Sequence, residues 1–133
     1  MMKILIAEDD FIARRILKDI LSAYGDCDIV VDGDEAVQAF RLAHEENAPY
    51  DLICMDIMMP NTDGQQALVR IRDMEKQYGI RGTAEVRVIM VTALDDPKNV
   101  FQAYYNGVAT AYIVKPIEKD RLADSIRALG LPG

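Results

Sequence analysis

No apolar run in this 133-residue chain approaches the roughly 20 residues of a membrane span. The N-terminus, MMKILIAEDD, turns acidic by residue 8 and does not read as a secretory leader. Cysteine is scarce. Cys27 and Cys54 form no Cys-x-x-Cys pair, and the single His44 cannot complete a zinc site. Each cysteine falls in a predicted strand and reads as a small buried hydrophobe of a reducing compartment. Clustered basic residues are lacking as well. The net charge is −7, and Arg14-Arg15 is the only adjacent basic pair, read as a solvated helix face. Phosphate contacts need grouped Lys and Arg, so direct nucleic-acid binding is not expected. There is no internal repeat, linker or low-complexity segment. The expectation is a cytoplasmic protein of one domain, with no membrane association.

What the chain does have is alternation. KILIA (3–7) is a short buried strand. Asp10, or Asp9, can cap the helix that follows, with Ile12, Ile16, Ile20 and Tyr24, and Leu17 and Leu21, as an apolar stripe ended by Gly25. CDIVV (27–31) is a second strand, and Asp32-Gly33-Asp34 turns into a helix with Ala36, Val37, Phe40 and Ala43 on one side. His44, in the polar stretch HEEN, reads as part of a solvated face. DLICMDI (51–57) is a third strand, followed by a loop between Pro60 and Gly64 and a helix over 65–78. After a polar loop (78–85) come a strand over 86–93, a helix from Pro97 to near Gly107, a strand AYIVK (111–115), and a last helix over 118–130. Strands alternating with helices imply an α/β domain: a doubly wound, five-stranded parallel sheet with helices on both faces. Near-continuous apolar strands agree with burial from both sides.

Ligands of such sheets bind at the carboxyl ends of the strands. Glu8 and Asp9 follow strand 1 and Asp56 closes strand 3. Thr92 and Ala93 close strand 4, and Lys115 closes strand 5 before Pro116. Carboxylates brought together repel unless a cation joins them, and hard oxygen ligands favour Mg²⁺, which also accepts a phosphate oxygen. Asp56 then fits a carboxylate nucleophile toward phosphorus, with Lys115, Thr92 and the Ala93 N–H as holders of the phosphoryl oxygens.

The four pieces ILIAEDD (4–10), MDIMMPNTDG (55–64), VIMVTA (88–93) and YIVKPI (112–117) resemble, in that order, the receiver domain of two-component response regulators. The resemblance covers essentially the whole chain, so 1–133 is expected to be a single receiver domain. It implies a flavodoxin-like strand order 2-1-3-4-5. It also implies that Asp56 accepts phosphate, that Asp9 is a direct Mg²⁺ ligand, that Glu8 holds the ion through water, and that the Met58 carbonyl is the third protein ligand. Thr92 and Lys115 then read the phosphate, Tyr112 is the switch aromatic, and Lys115-Pro116 is a cis peptide. Glu8 stands where Asp is the commoner family residue. The implied partners are a histidine kinase or phosphotransfer protein and an unidentified downstream protein.

Other functions fit less well. An aspartate-nucleophile phosphatase places a second acid two residues after the nucleophile, and here that residue is Met58, which cannot move a proton. A flavodoxin-like cofactor binder needs a phosphate-cradling loop after strand 1, where AEDD would repel the phosphate instead. No segment is left for an output domain. The expected roles are a stand-alone switch, a phosphorelay intermediate, or a piece of a larger regulator.

Overall fold

The computed structural model describes residues 1–93 and 110–132. Its sheet has five parallel strands in the order β2-β1-β3-β4-β5. The strands are β1 (Met2–Ala7), β2 (Gly25–Val30), β3 (Leu52–Asp56), β4 (Arg87–Thr92) and β5 (Thr110–Val114). The helices are α1 (Phe11–Leu21), α2 (Gly33–Glu45), α3 (Gly64–Gln77) and α4 (Lys119–Ala128). The loop before β4 contains a single 3₁₀ turn, Gly82–Ala84. The helix expected from Pro97 to near Gly107 lies outside the described residues. No helix among the described residues is long and apolar enough to cross a membrane.

The period of two along a strand sends alternate side chains to opposite faces. Leu5, Ala7, Ile53, Met55, Val88 and Met90 pack with Phe40 of α2 and Leu68 and Ile71 of α3. Ile4, Ile6, Leu52, Cys54, Ile89 and Val91 pack with Leu17 and Leu21 of α1 and with Leu122 and Ile126 of α4. Both neighbours along the central strands are therefore buried, which is why the strands read as unbroken apolar runs. Fully burying each such aliphatic side chain stabilises the fold by about 1.5–3 kcal/mol.

Four expectations need correction. The buried stripe of α1 is Ala13, Leu17 and Leu21, while Ile12 and Ile16 are exposed at 68% and 38%. Ile20 and Tyr24 pack only partly. Gly25 does not stop α1: the helix ends at Leu21, and Gly25 opens β2 opposite Met2. α2 begins at Gly33, directly after its cap Asp32, rather than beyond a separate turn. His44 is half-buried, its ring against Phe40 (4.7 Å) and Tyr78 (5.1 Å), rather than on a solvated face. Both cysteines are free thiols, with Cys54 fully buried and its pKa pushed up by that burial.

Candidate functional site: an acidic pocket at the carboxyl edge of the sheet

The parallel pairing of β1, β3, β4 and β5 brings their carboxyl ends to one edge. Glu8 follows β1, its backbone N–H bonded to the Val30 carbonyl at the end of β2 (3.0 Å). Asp56 is the last residue of β3. Gly64, the first residue of α3, packs so tightly here that a Cβ on it would lie 2.2 Å from the Asp56 carbonyl oxygen. Only glycine allows that approach.

One carboxylate oxygen from each of Glu8, Asp9 and Asp56 lies within 4.8 Å of the other two. Glu8 and Asp56 are buried and Asp9 is exposed. Lys115 Nζ reaches into this group, 2.9 Å from Glu8 Oε1 and 3.2 Å from Asp56 Oδ2. Asp56 Oδ1 accepts from the Met58 N–H (3.2 Å), and Glu8 Oε2 accepts from the Asp10 N–H (3.1 Å). Burial raises the Glu8 pKa to about 7, reinforced by the shared hydrogen bond with Asp56 and opposed by Lys115 and the Asp10 amide. For Lys115, burial works to lower the pKa, but Glu8 and Asp56 outweigh it and hold it above its ordinary value. Both directions express one excess of negative charge: Glu8 resists losing its proton, and so does the ammonium.

That excess fits a cation. Glu8 Oε1 is buried and, despite its closeness to Lys115, receives no well-directed hydrogen bond. Its lone pairs, the exposed Asp9 carboxylate and Asp56 form an all-oxygen donor set open on one side, the kind a hydrated Mg²⁺ occupies.

The other expected residues fall around this group. Thr92 is fully buried at the end of β4, and its carbonyl accepts from the Lys115 N–H (2.7 Å). Ala93 is exposed just beyond it. The Lys115-Pro116 peptide is cis. Met58 follows Asp56 by two residues and is 57% exposed, so its backbone, rather than its side chain, is near the acids. Tyr112 is half-buried on β5, packed on the α2–α3 side of the core, and borders a cleft with Arg121 and Ser125 of α4. Asp10 is apart from the pocket's chemistry: its Oδ2 caps α1 by accepting from the Ala13 N–H (2.9 Å). Asp32 caps α2 likewise.

Sequence reasoning missed a set of contacts beside the pocket. Asp32 Oδ2 accepts from Asn61 Nδ2 (2.9 Å), and Asp34 Oδ1 accepts from Thr62 Oγ1 (2.5 Å) and Arg70 Nη1 (3.0 Å). It also missed a buried ion pair, Arg72 with Glu75 at 2.7 Å, at the opposite edge. The second had a signal. Leu68, Arg72 and Glu75 recur at helical spacing along the apolar face of α3.

A family model described as response regulator receiver domain matches residues 4–127. The chemotaxis protein CheY of Bacillus subtilis is 35% identical, over 93% of this chain and 93% of that protein. A protein described as probable histidine kinase 2 of Oryza sativa subsp. indica is 32% identical over 96% of this chain, which spans only 13% of that protein. Among solved structures, a chain of the CheX-CheY-BeF3-Mg²⁺ complex from Borrelia burgdorferi superposes with a TM-score of 0.82. It is 25% identical, with 98% of this chain and 90% of that chain covered. A co-crystal of a histidine phosphotransfer signaling protein with the receiver domain of its downstream response regulator, from Saccharomyces cerevisiae, gives a TM-score of 0.81. There the identity is 30%, over 97% of this chain and 88% of that chain.

Proposed function

The chain belongs to the response regulator receiver domain family, and from that premise we propose that residues 1–133 work as one phosphoacceptor switch with Asp56 as the acceptor. The observation that carries the reading is the single buried carboxylate at a strand end, held between two further acids on one side and Lys115 on the other. A carboxylate oxygen of Asp56 attacks phosphorus of a phosphohistidine on a kinase or phosphotransfer protein. The P–N bond breaks, its electron pair returns to the imidazole nitrogen, and an acyl phosphate forms on Asp56. Glu8, Asp9, Asp56 and the Met58 carbonyl would hold Mg²⁺, with Glu8 acting through water. The ion supplies charge neutralisation for the phosphoryl oxygens. Lys115 is already placed to meet the negative charge that gathers on those oxygens. The Thr92 hydroxyl and the Ala93 N–H, at the end of the neighbouring strand, are its further donors.

The phosphoryl group adds nearly two negative charges and strong acceptors. Thr92 is drawn toward them, Tyr112 turns into the space released, and the face formed by β5 and α4 changes for a downstream protein. The setting is cytoplasmic, and nucleic acid is not a direct partner. The role is that of a switch, without turnover of a substrate.

Phosphate loss is slow. Water in line with the acyl phosphate needs a group to orient it, and Met58, two residues past the acceptor, cannot hydrogen-bond one. Leu94, the other side chain assigned to that approach by the resemblance, lies outside the described residues. Incubating the full chain with Mg²⁺ and a small phosphodonor tests the whole reading by intact mass. Wild type should gain one phosphoryl group. Asp56→Asn, which keeps size and loses the charge, should gain none and still fold. Labelling that persists in Asp56→Asn overturns the acceptor assignment. In the same assay Met58→Asn should shorten the phosphate lifetime, and unchanged decay would remove Met58 from the account.

A further inference from the structure

The acidic pocket is built from two chain segments, Glu8-Asp9 after β1 and Asp56–Met58 at the end of β3. The second segment runs into the loop 57–63, which has no regular structure. Ile57 and Met59 are anchored by burial, but Met58 is exposed and has no packing of its own to fix it. Its position depends on how the loop is tied.

The strand side of the loop is held by the sheet and by α3. The Ile57 N–H donates to the Val91 carbonyl (2.9 Å), and the Gly64 N–H donates to the Ile57 carbonyl (2.8 Å). The outer side is held by the start of α2. The Gly33 N–H donates to the Thr62 carbonyl (2.9 Å). A Cβ at Gly33 would lie 2.0 Å from that same oxygen, so no other residue lets the helix come this close. The Thr62 hydroxyl bonds Asp34, and the Asn61 amide bonds Asp32. Asn61 has φ 65°, a left-handed conformation that Asn tolerates better than most residues. Asp34 is in turn held by Arg70 of α3, and its pKa is lowered by the Thr62 hydroxyl and by that guanidinium.

The same turn also touches the first segment. Val30, at its near end, accepts the Glu8 N–H. Residues 30–34 therefore tie both halves of the pocket together from outside it.

We propose that Asp32, Gly33 and Asp34, acting through Asn61 and Thr62, are positioning residues that set the loop after Asp56 and so set the affinity of the pocket for a divalent cation. They act on the loop and not on the cation. The proposal rests on the reading of Glu8, Asp9, Asp56 and the Met58 carbonyl as the cation site.

The test titrates Mg²⁺ alone into the full chain by calorimetry, for wild type, Thr62→Val, Thr62→Ser and Asn61→Gly, with a denaturation midpoint measured for each without Mg²⁺. Thr62→Val keeps the side-chain shape and removes the hydroxyl. It should bind Mg²⁺ roughly tenfold more weakly, the loss typical when a partner of a ligating group is removed. Its midpoint without Mg²⁺ should stay near wild type, and Thr62→Ser should restore the affinity. Asn61→Gly permits the left-handed backbone without the bond to Asp32. It should weaken binding in the same direction, and it carries the test should Thr62→Val fail to fold. Wild-type affinity in both Thr62→Val and Asn61→Gly, with wild type binding Mg²⁺, overturns the positioning role alone. Lost affinity that Ser does not restore, tracking lost stability, also overturns it. Wild type that binds no Mg²⁺ overturns the cation site and this proposal together.

Discussion

Charged side chains are buried at two opposite edges of this sheet, and the two groups are built differently. At the amino edge, Arg72 and Glu75 of α3 face each other at 2.7 Å. Glu75 Oε2 also accepts from the Val86 N–H (2.6 Å), while Arg72 donates to the Val86 carbonyl (2.8 Å) and to Thr110 Oγ1 (3.3 Å). One charge meets one charge, both carboxylate oxygens are used, and the pair ties α3 to the starts of β4 and β5. At the carboxyl edge, three carboxylates meet one ammonium. There a buried oxygen of Glu8 lacks a well-directed hydrogen bond. A closed pair is a fastening. An open group with surplus charge is a place where something else must bind.

The largest expected effect breaks the fastening. Arg72→Met keeps much of the volume and leaves Glu75 buried without its cation. Breaking a buried pair from one side costs about 3–5 kcal/mol. Glu8→Gln at the other edge removes surplus charge and should leave the Mg²⁺-free protein at least as stable as wild type. Urea unfolding without Mg²⁺ measures both. The contrast between the edges fails if Glu8→Gln destabilises as much as Arg72→Met.

A second test sharpens the contrast through pH. Glu8 titrates near 7 in the folded protein, against 4.5 for an ordinary glutamate, because of its burial and its hydrogen bond with Asp56. Between those values the folded state holds a proton that the unfolded state has lost. Stability of the Mg²⁺-free protein is therefore greatest below about pH 4.5, as far as Glu8 is concerned, and declines as pH rises toward 7. The contribution is on the order of 3 kcal/mol across the window. Asp9, Asp56 and Lys115 face the same group, so the clean readout is the difference between wild type and Glu8→Gln, which lacks the titrating proton. Parallel stability profiles for the two proteins would show that Glu8 does not carry the pH dependence.

Much of this was legible in the sequence because it rests on strand ends. An apolar run such as Leu52–Met55 can only be a strand buried on both faces, and whatever follows it must stand at the sheet edge. That logic located Glu8, Asp56, Thr92 and Lys115, and the caps Asp10 and Asp32 followed from residue type. What was not legible depended on which of two adjacent stripes a helix buries. In α1 the apolar residues span more than one stripe, and the sheet covers Ala13, Leu17 and Leu21 while leaving Ile12 and Ile16 in water. Contacts between segments distant in sequence were hidden for a different reason. Asp34 and Thr62 are ordinary turn residues until the fold sets them 2.5 Å apart. His44 gave no warning either, since its ring partner Tyr78 comes from another helix end.

The smallest expected effect separates two neighbouring acids within the open group. Asp9 and Asp10 are adjacent and of one type, yet the fold gives them different tasks. Asp9 contributes one of the three clustered carboxylate oxygens and is exposed to incoming ions. The Asp10 carboxylate is committed to the Ala13 N–H at the start of α1. Asp9→Asn removes an anionic ligand and should weaken Mg²⁺ binding at least tenfold, which is about 1.4 kcal/mol. Asp10→Asn keeps a good helix cap, since Asn caps as well as Asp. Its lost charge acts only through solvent, where such interactions are weak. Calorimetric titration of the two variants under the same salt should therefore show a clear loss for Asp9→Asn and near wild-type affinity for Asp10→Asn. The reverse order would mean that the cation sits over the start of α1 rather than between β1 and β3, and the open group would have to be redrawn around Asp10.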